Sequence, residues 1–205
     1  MAVFSRRGAL FGAAACAVSG GAWASPASIA NDPGFRAFTR PAGVGALPLQ
    51  EIVETDQGAK RLGEWIGRRP TVLALWASWC APCLLEKPHQ AALAQRLAVA
   101  HAAARVMALQ VCDDDVELSD ARWMLDRMGA NALPLARATG RAQTAFERAL
   151  AATPRDQTRM TLPVVLLIGG DGLELGRAVG AMHGADGRSD YWQDEATFSF
   201  LSRLV

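Results

Sequence analysis

The chain has 205 residues, with 21 Lys or Arg against 20 Asp or Glu and a formal net charge of +1. That balance excludes a broad basic surface for nucleic acid or an anionic membrane. Four cysteines are too few for a small disulfide-stapled scaffold, and the length suits one domain with a sizeable core.

The first 24 residues read as an export signal rather than as fold. Arg6 and Arg7 form a basic start, Gly8 to Gly21 a short apolar stretch, and Ala22-Trp23-Ala24 an A-x-A cleavage site before Ser25. The stretch is shorter than the ~18 residues of a membrane span. Ser5-Arg6-Arg7-Gly8-Ala9-Leu10 resembles a twin-arginine signal. Ala9 stands where Phe is usual, which leaves the Sec route open. Ala13-Ala14-Ala15-Cys16 is a weak lipoprotein box without its Leu, so Cys16 is either a discarded small residue or a lipid attachment point. A periplasmic location is expected, with a tethered lipoprotein as the alternative.

Ser25 to Ala46 is rich in Ala, Pro, Gly and Ser and predicts an irregular lead-in to a domain over 47–205. Leu49 to Glu54 partly alternates and predicts a strand, with a turn at Asp56-Gln57-Gly58 and a short return strand. Leu62 to Gly67 predicts a helical turn. Thr71 to Trp76 is a continuous apolar run, as expected of a strand buried on both faces. From Ala81 to about Arg105 the pattern is helical, with a kink expected at Pro88. Val106 to Val111 predicts a second buried strand. Asp115 to Gly129 predicts a helix capped by Asp115, with Ala121, Met124, Leu125 and Met128 on one face. Leu133 to Ala138 predicts a short strand, Arg141 to Ala152 a helix, and Ala151 to Met160 a polar loop. Pro163 to Ile168 predicts a strand, Gly169-Gly170-Asp171-Gly172 a turn, and Leu173 to Val179 the antiparallel partner. Asp194 can cap a final helix reaching about Leu204. Strands joined through helices, then a hairpin and a helix, predict an α/β sandwich with a mixed sheet.

The chemistry concentrates in Trp76-Ala77-Ser78-Trp79-Cys80-Ala81-Pro82-Cys83, where the buried strand turns into a helix. A thiol at a helix start meets unpaired N–H groups and the positive end of the dipole, so its thiolate is favoured. Cys80 is therefore the expected nucleophile. Cys83, one turn on, can attack a mixed disulfide formed on Cys80, and the spacing supports a reversible dithiol/disulfide cycle. Cys-x-x-Cys is also half of many zinc sites, or an inert structural disulfide. No second Cys pair follows, and His89, His101 and His183 lack ligand spacing, so no metal is expected. Pro82 within the pair and the apolar run upstream favour redox chemistry. Right-handed crossovers place Cys80 at the carboxyl end of a central strand, where open α/β sheets bind ligands.

These residues resemble the exported TlpA/ResA-like thiol-disulfide oxidoreductases of the thioredoxin fold. The likeness rests on Trp76 to Cys83, on Cys83-x-x-Glu86-x-Pro88, and on Thr161-Leu162-Pro163-Val164-Val165-Leu166-Leu167-Ile168 with its Gly-Asp-Gly turn. The long stretch between Val111 and Pro163 also fits, since thioredoxin itself has a shorter segment there. The resemblance covers residues 47–205 and implies a three-layer thioredoxin-like sandwich, a mixed central sheet flanked by helices.

It also implies roles. Pro163 corresponds to a cis-proline facing Cys80, although a proline that merely opens a strand is the simpler reading. Leu162 would then offer its backbone to an extended client, while Trp79 and Pro82 shape the client-binding face. The position of thioredoxin's buried Asp, six residues before the first cysteine, falls on Ala74. Glu86, three residues after Cys83, is either a solvated helix acid or a substitute that exchanges the Cys83 proton. Trp76 and Pro88 are expected to be structural. Cys112 is either a small core residue or a third redox thiol, with Asp113, Asp114 and Asp115 opposing its thiolate. His183 is expected to lie in a loop.

The activity implied is reduction of protein disulfides, with no cofactor beyond the Cys80–Cys83 disulfide. Electrons would come from a membrane thiol carrier. The clients implied include apocytochrome c thiols and copper-site cysteines of oxidase assembly proteins, and the protein is expected to be a monomer. A disulfide oxidant or isomerase is the alternative in the same chemistry. A copper-binding chaperone is the alternative outside it, though such relatives use a wider cysteine spacing and a placed His.

Overall fold

The computed structural model describes residues 29–39, 47–150, 160–182 and 190–204. The export signal, Cys16, His183 and the polar loop over 151–159 lie outside the described residues. The strands are β1 (Ile52–Thr55), β2 (Gly58–Arg61), β3 (Thr71–Trp76), β4 (Arg105–Gln110), β5 (Leu135–Arg137), β6 (Val164–Ile168) and β7 (Glu174–Val179). The helices are α1 (Leu62–Ile66), α2 (Ala81–Val99), α3 (Leu118–Arg127), α4 (Gly140–Leu150) and α5 (Glu195–Ser202). Short 3-10 turns stand at Pro33–Phe35 and Tyr191–Gln193.

One seven-stranded mixed sheet runs β2-β1-β5-β4-β3-β6-β7. β3, β4 and β5 are parallel, and β6 runs antiparallel beside β3. All six residues of β3 are buried, because alternate side chains enter different cores. Val72, Ala74 and Trp76 meet the layer holding α2, α3 and α5, while Leu73 and Leu75 meet the layer holding α1 and α4. The continuous apolar run is the signature of this two-sided burial. The α/β sandwich with helices on both faces is thus present.

Two details differ from the sequence-based expectations, the end of α2 and the start of α3. α2 ends at Val99, six residues early, because the chain leaves the helical region at Ala100 and takes φ 53° at His101. It runs through Pro88 without interruption. α3 begins at Leu118 and is preceded by Glu117, which makes no side-chain cap, so Asp115 does not cap it. Gly129 does end it, at φ 73°, a region that costs glycine least. Asp194 caps α5 as expected, its Oδ1 accepting from Ala196 N at 2.9 Å.

The described part of the lead-in packs as an ordered segment. Ile29, Phe35 and Phe38 are buried, and Phe38 meets Tyr191 edge to face with ring centres 5.7 Å apart. Thr39 and Arg177 exchange both backbone hydrogen bonds, at 2.7 and 2.9 Å, which fastens the segment to the outer edge of β7.

Candidate active site

β3 delivers the chain to the site. After Trp76 the loop Ala77–Cys80 turns into α2, whose N-cap is Cys80, extended at φ −87° and ψ 90°. Pro82 sits in the first turn, where a missing N–H costs nothing. Cys80 and Cys83 are joined in a disulfide, and Cys80 Sγ accepts from the Cys83 N–H at 3.3 Å. One of the orphan N–H groups of the helix start is therefore aimed at the Cys80 sulfur. Cys80 keeps 4% exposure and Cys83 none. Both residues are thus buried, Cys83 completely.

A second segment holds this loop in place. Asp113, just past β4, accepts from Ser78 N at 2.6 Å and from Ser78 Oγ at 2.9 Å. Gln110 Nε2 donates to the same carboxylate at 3.0 Å. Trp79 is 61% exposed, and its indole Nε1 donates to the Cys112 carbonyl at 2.8 Å. Trp79 therefore stands as a fixed apolar wall beside Cys80. Trp76 is fully buried. Asp113 is a positioning residue, whereas its place in the sequence suggested only a charge opposing the Cys112 thiolate.

β6 brings Pro163 to the same end of the sheet. Val164 pairs with Leu75, so Pro163 falls one place further, beside Trp76. The Leu162–Pro163 bond is cis. Pro163 is buried and Leu162 half-buried, and the Pro163 carbonyl accepts from Gly180 N at 2.9 Å. The sheet register thus gathers Cys80, Trp79, Pro82 and Leu162–Pro163 at one end.

Glu86 is not a solvated helix acid: it is 8% exposed. Its Oε1 accepts from Met182 N at 3.1 Å and its Oε2 from Gln90 Nε2 at 3.3 Å. Burial raises its proton affinity above the ordinary carboxyl range, and the Met182 N–H and Lys87 oppose that rise. Lys87, beside it in sequence, carries no motif that marks it as a site residue. It is almost completely buried, which the i,i+4 spacing from Cys83 could have signalled.

Cys112 is half-buried and sits at φ 54°. Burial first, then Glu147, Asp114 and Asp113, raise its thiol to about 11. Two of the expected aspartates contribute, and Glu147 on α4 exceeds both.

No family model matches the chain, and no curated protein matches it. Among solved structures it is similar to a thiol:disulfide interchange protein of the thioredoxin family from Chlorobium tepidum TLS. The two share 18% identity over 78% of this chain and 99% of that one, with a TM-score of 0.54. It is also similar to a secreted Mycobacterium tuberculosis disulfide oxidoreductase homologous to E. coli DsbE, at 17% identity over 71% of this chain and 96% of that one, TM-score 0.44. At these identities the likeness speaks for architecture, and by the first of them, together with its strand order, this chain is a thioredoxin-fold protein.

Proposed function

We propose that the protein is an exported thiol-disulfide oxidoreductase that reduces disulfides of protein clients through Cys80 and Cys83. The observation that carries this reading is the pair itself: one sulfur at the helix start receives an N–H, and the other is enclosed one turn on. In the reduced protein the Cys80 thiolate attacks one sulfur of a client disulfide. A mixed disulfide forms and the other client sulfur leaves as a thiolate, which takes a proton from solvent. Cys83 then attacks Cys80, the Cys80–Cys83 bond forms, and the client departs with both sulfurs reduced. Two electrons pass from the dithiol to the client. Leu162 and Pro163 form the wall against which an extended client would lie, with Trp79 and Pro82 on the facing side.

The resemblance to TlpA/ResA-like proteins and the basic, apolar, A-x-A leader support a periplasmic site of action. Among the described residues no helix is long and apolar enough to cross a membrane. Electrons would then come from a membrane thiol carrier, and cytochrome c maturation or oxidase copper-site assembly would supply the clients.

Insulin reduction at the expense of dithiothreitol tests the activity. The wild type is expected to turn over, and Cys80→Ser to lose turnover entirely; a Cys80→Ser variant at the wild-type rate would overturn the assignment. The direction of flow is read from the reduction potential of the pair. A value near about −270 mV supports a reductase, and one near about −120 mV shows an oxidant instead.

A further inference from the structure

α2 turns a second ionisable group into the core, one helical turn on from Cys83. Lys87 follows Cys83 by four residues, so the two share a helix face one turn apart. Lys87 retains 1% exposure. Its Nζ lies 5.7 Å from the centre of the Trp76 ring, at the end of β3 from which the Cys80 loop departs. Nζ donates to Gln90 Oε1 at 2.8 Å, and Gln90 in turn donates to Glu86, so one buried amide joins amine to carboxyl.

A lysine is almost never fully buried without a partner, and an apolar side chain of the same length would fill this space without the cost of burying charge. Burial lowers Lys87 to about 7, and Glu86 alone opposes that fall by its charge. The elements packed on α2 bring Lys87 no other ionised group among the described residues. β3 presents Ala74 and Trp76, and β4 presents Gln110. Asp190, before the Tyr191–Gln193 turn, is taken by His89, and Glu195 on α5 by Arg96. Tyr191 is held protonated by burial and donates to the Gly34 carbonyl.

We propose that Lys87 sets the charge of the Cys83 thiol: the amine takes up a proton as Cys83 gives one up, and the ammonium then steadies the thiolate that resolves the mixed disulfide. The proposal rests on the thiol-disulfide reading above. Lys87 is a positioning residue in the layer where Ala74 supplies no acid. Neutral thiol and neutral amine become thiolate and ammonium, so the Cys83–Lys87 pair carries no net charge at either stage. The thiolate attacks Cys80 Sγ, the bond from Cys80 to the client sulfur breaks, and the client thiolate takes the proton that Lys87 releases. The second half of the cycle thereby returns every group to its starting charge.

The test uses the full chain with Cys16→Ser and Cys112→Ser, so that only the pair reacts, and dithiobis(nitrobenzoate) as the disulfide. Reduced protein releases one coloured thiolate as Cys80 attacks and a second as Cys83 resolves. In Lys87→Met the first phase is expected to keep its rate within about 2-fold. The second is expected to slow about 10-fold at neutral pH, with its pH midpoint raised by about one pH unit. Lys87→Gln, which keeps a polar end for Gln90, is expected to show the same changes and serves if Lys87→Met does not fold. A second phase with unchanged rate and pH profile in either folded variant overturns the proposal. A wild type that shows both phases yet fails to reduce insulin defeats the reductase reading instead, and leaves Lys87 tested on its own terms.

Discussion

In the proposed cycle Glu86 and Lys87 would act on the Cys83 thiol with opposite signs. A carboxylate near a thiol disfavours its thiolate, and an ammonium favours it. Glu86→Gln keeps an oxygen for the Met182 N–H but removes the charge, so thiol alkylation of the reduced pair is expected to move to lower pH. The Lys87 variants are expected to move it the other way. An unchanged profile in Glu86→Gln would leave Glu86 as a structural bridge between α2 and the segment after β7. Cys112 is a contrasting case, since its thiol is raised from 9.0 to about 11. Such a rise cuts the thiolate present at pH 7 about 100-fold. Iodoacetamide labelling of Cys112 is therefore expected to lag far behind that of reduced Cys80, as read by mass spectrometry of the two peptides. Equal labelling rates would mean that this thiol belongs to the redox chemistry after all.

At the scale of elements, legibility follows local pattern. β3 and β6 are readable because two-sided burial demands an unbroken apolar run, and β7 because a Gly-Asp-Gly turn folds it back beside β6. Cys80 and Cys83 are readable because helix-start chemistry depends on spacing along the chain. The start of α3 is misplaced because Asp115 is a good capping residue that goes unused, the helix opening after Glu117 with no side-chain cap; the role of Asp113 is hidden because only the fold brings Ser78 to it. The docking of the lead-in is illegible for a similar reason: its partners lie in α5 and β7, far along the chain. Gly34 shows how close that docking is. A Cβ there would stand 2.5 Å from Phe200 Cβ and 2.7 Å from the Ala196 carbonyl. Gly34→Ala is expected to cost about 1–3 kcal/mol in urea unfolding, as overpacking does. Asp194→Ala, which removes the α5 cap, is expected to cost about 1 kcal/mol. An undisturbed midpoint for Gly34→Ala would show that the segment does not contribute to the folded domain.

For the molecule as a whole, Lys87 ties stability to pH. Its folded proton affinity lies below the unfolded one, so between about 7 and 10.5 the unfolded chain binds more protons and stability rises with pH. Cys112 opposes this only above 9.0. Comparing thermal unfolding of the wild type and Lys87→Met from pH 7 to pH 9, the wild type is expected to gain on the variant as pH rises; parallel curves would show that the amine keeps its proton in the folded protein. The sheet margins carry a different consequence. Thr39 occupies the outside of β7 through its paired bonds to Arg177, and the opposite margin is the four-residue β2, bearing Lys60 and Arg61. A protein that handles unfolded clients meets exposed strands continually, and an open sheet margin would capture them as extra strands. Here one margin is met at Arg177 by Thr39 and the other is short and cationic. On the proposed function, client backbone would be left with the Leu162–Pro163 wall as its place to pair, and the same fold that deters aggregation with its substrates would steer them toward the sulfurs.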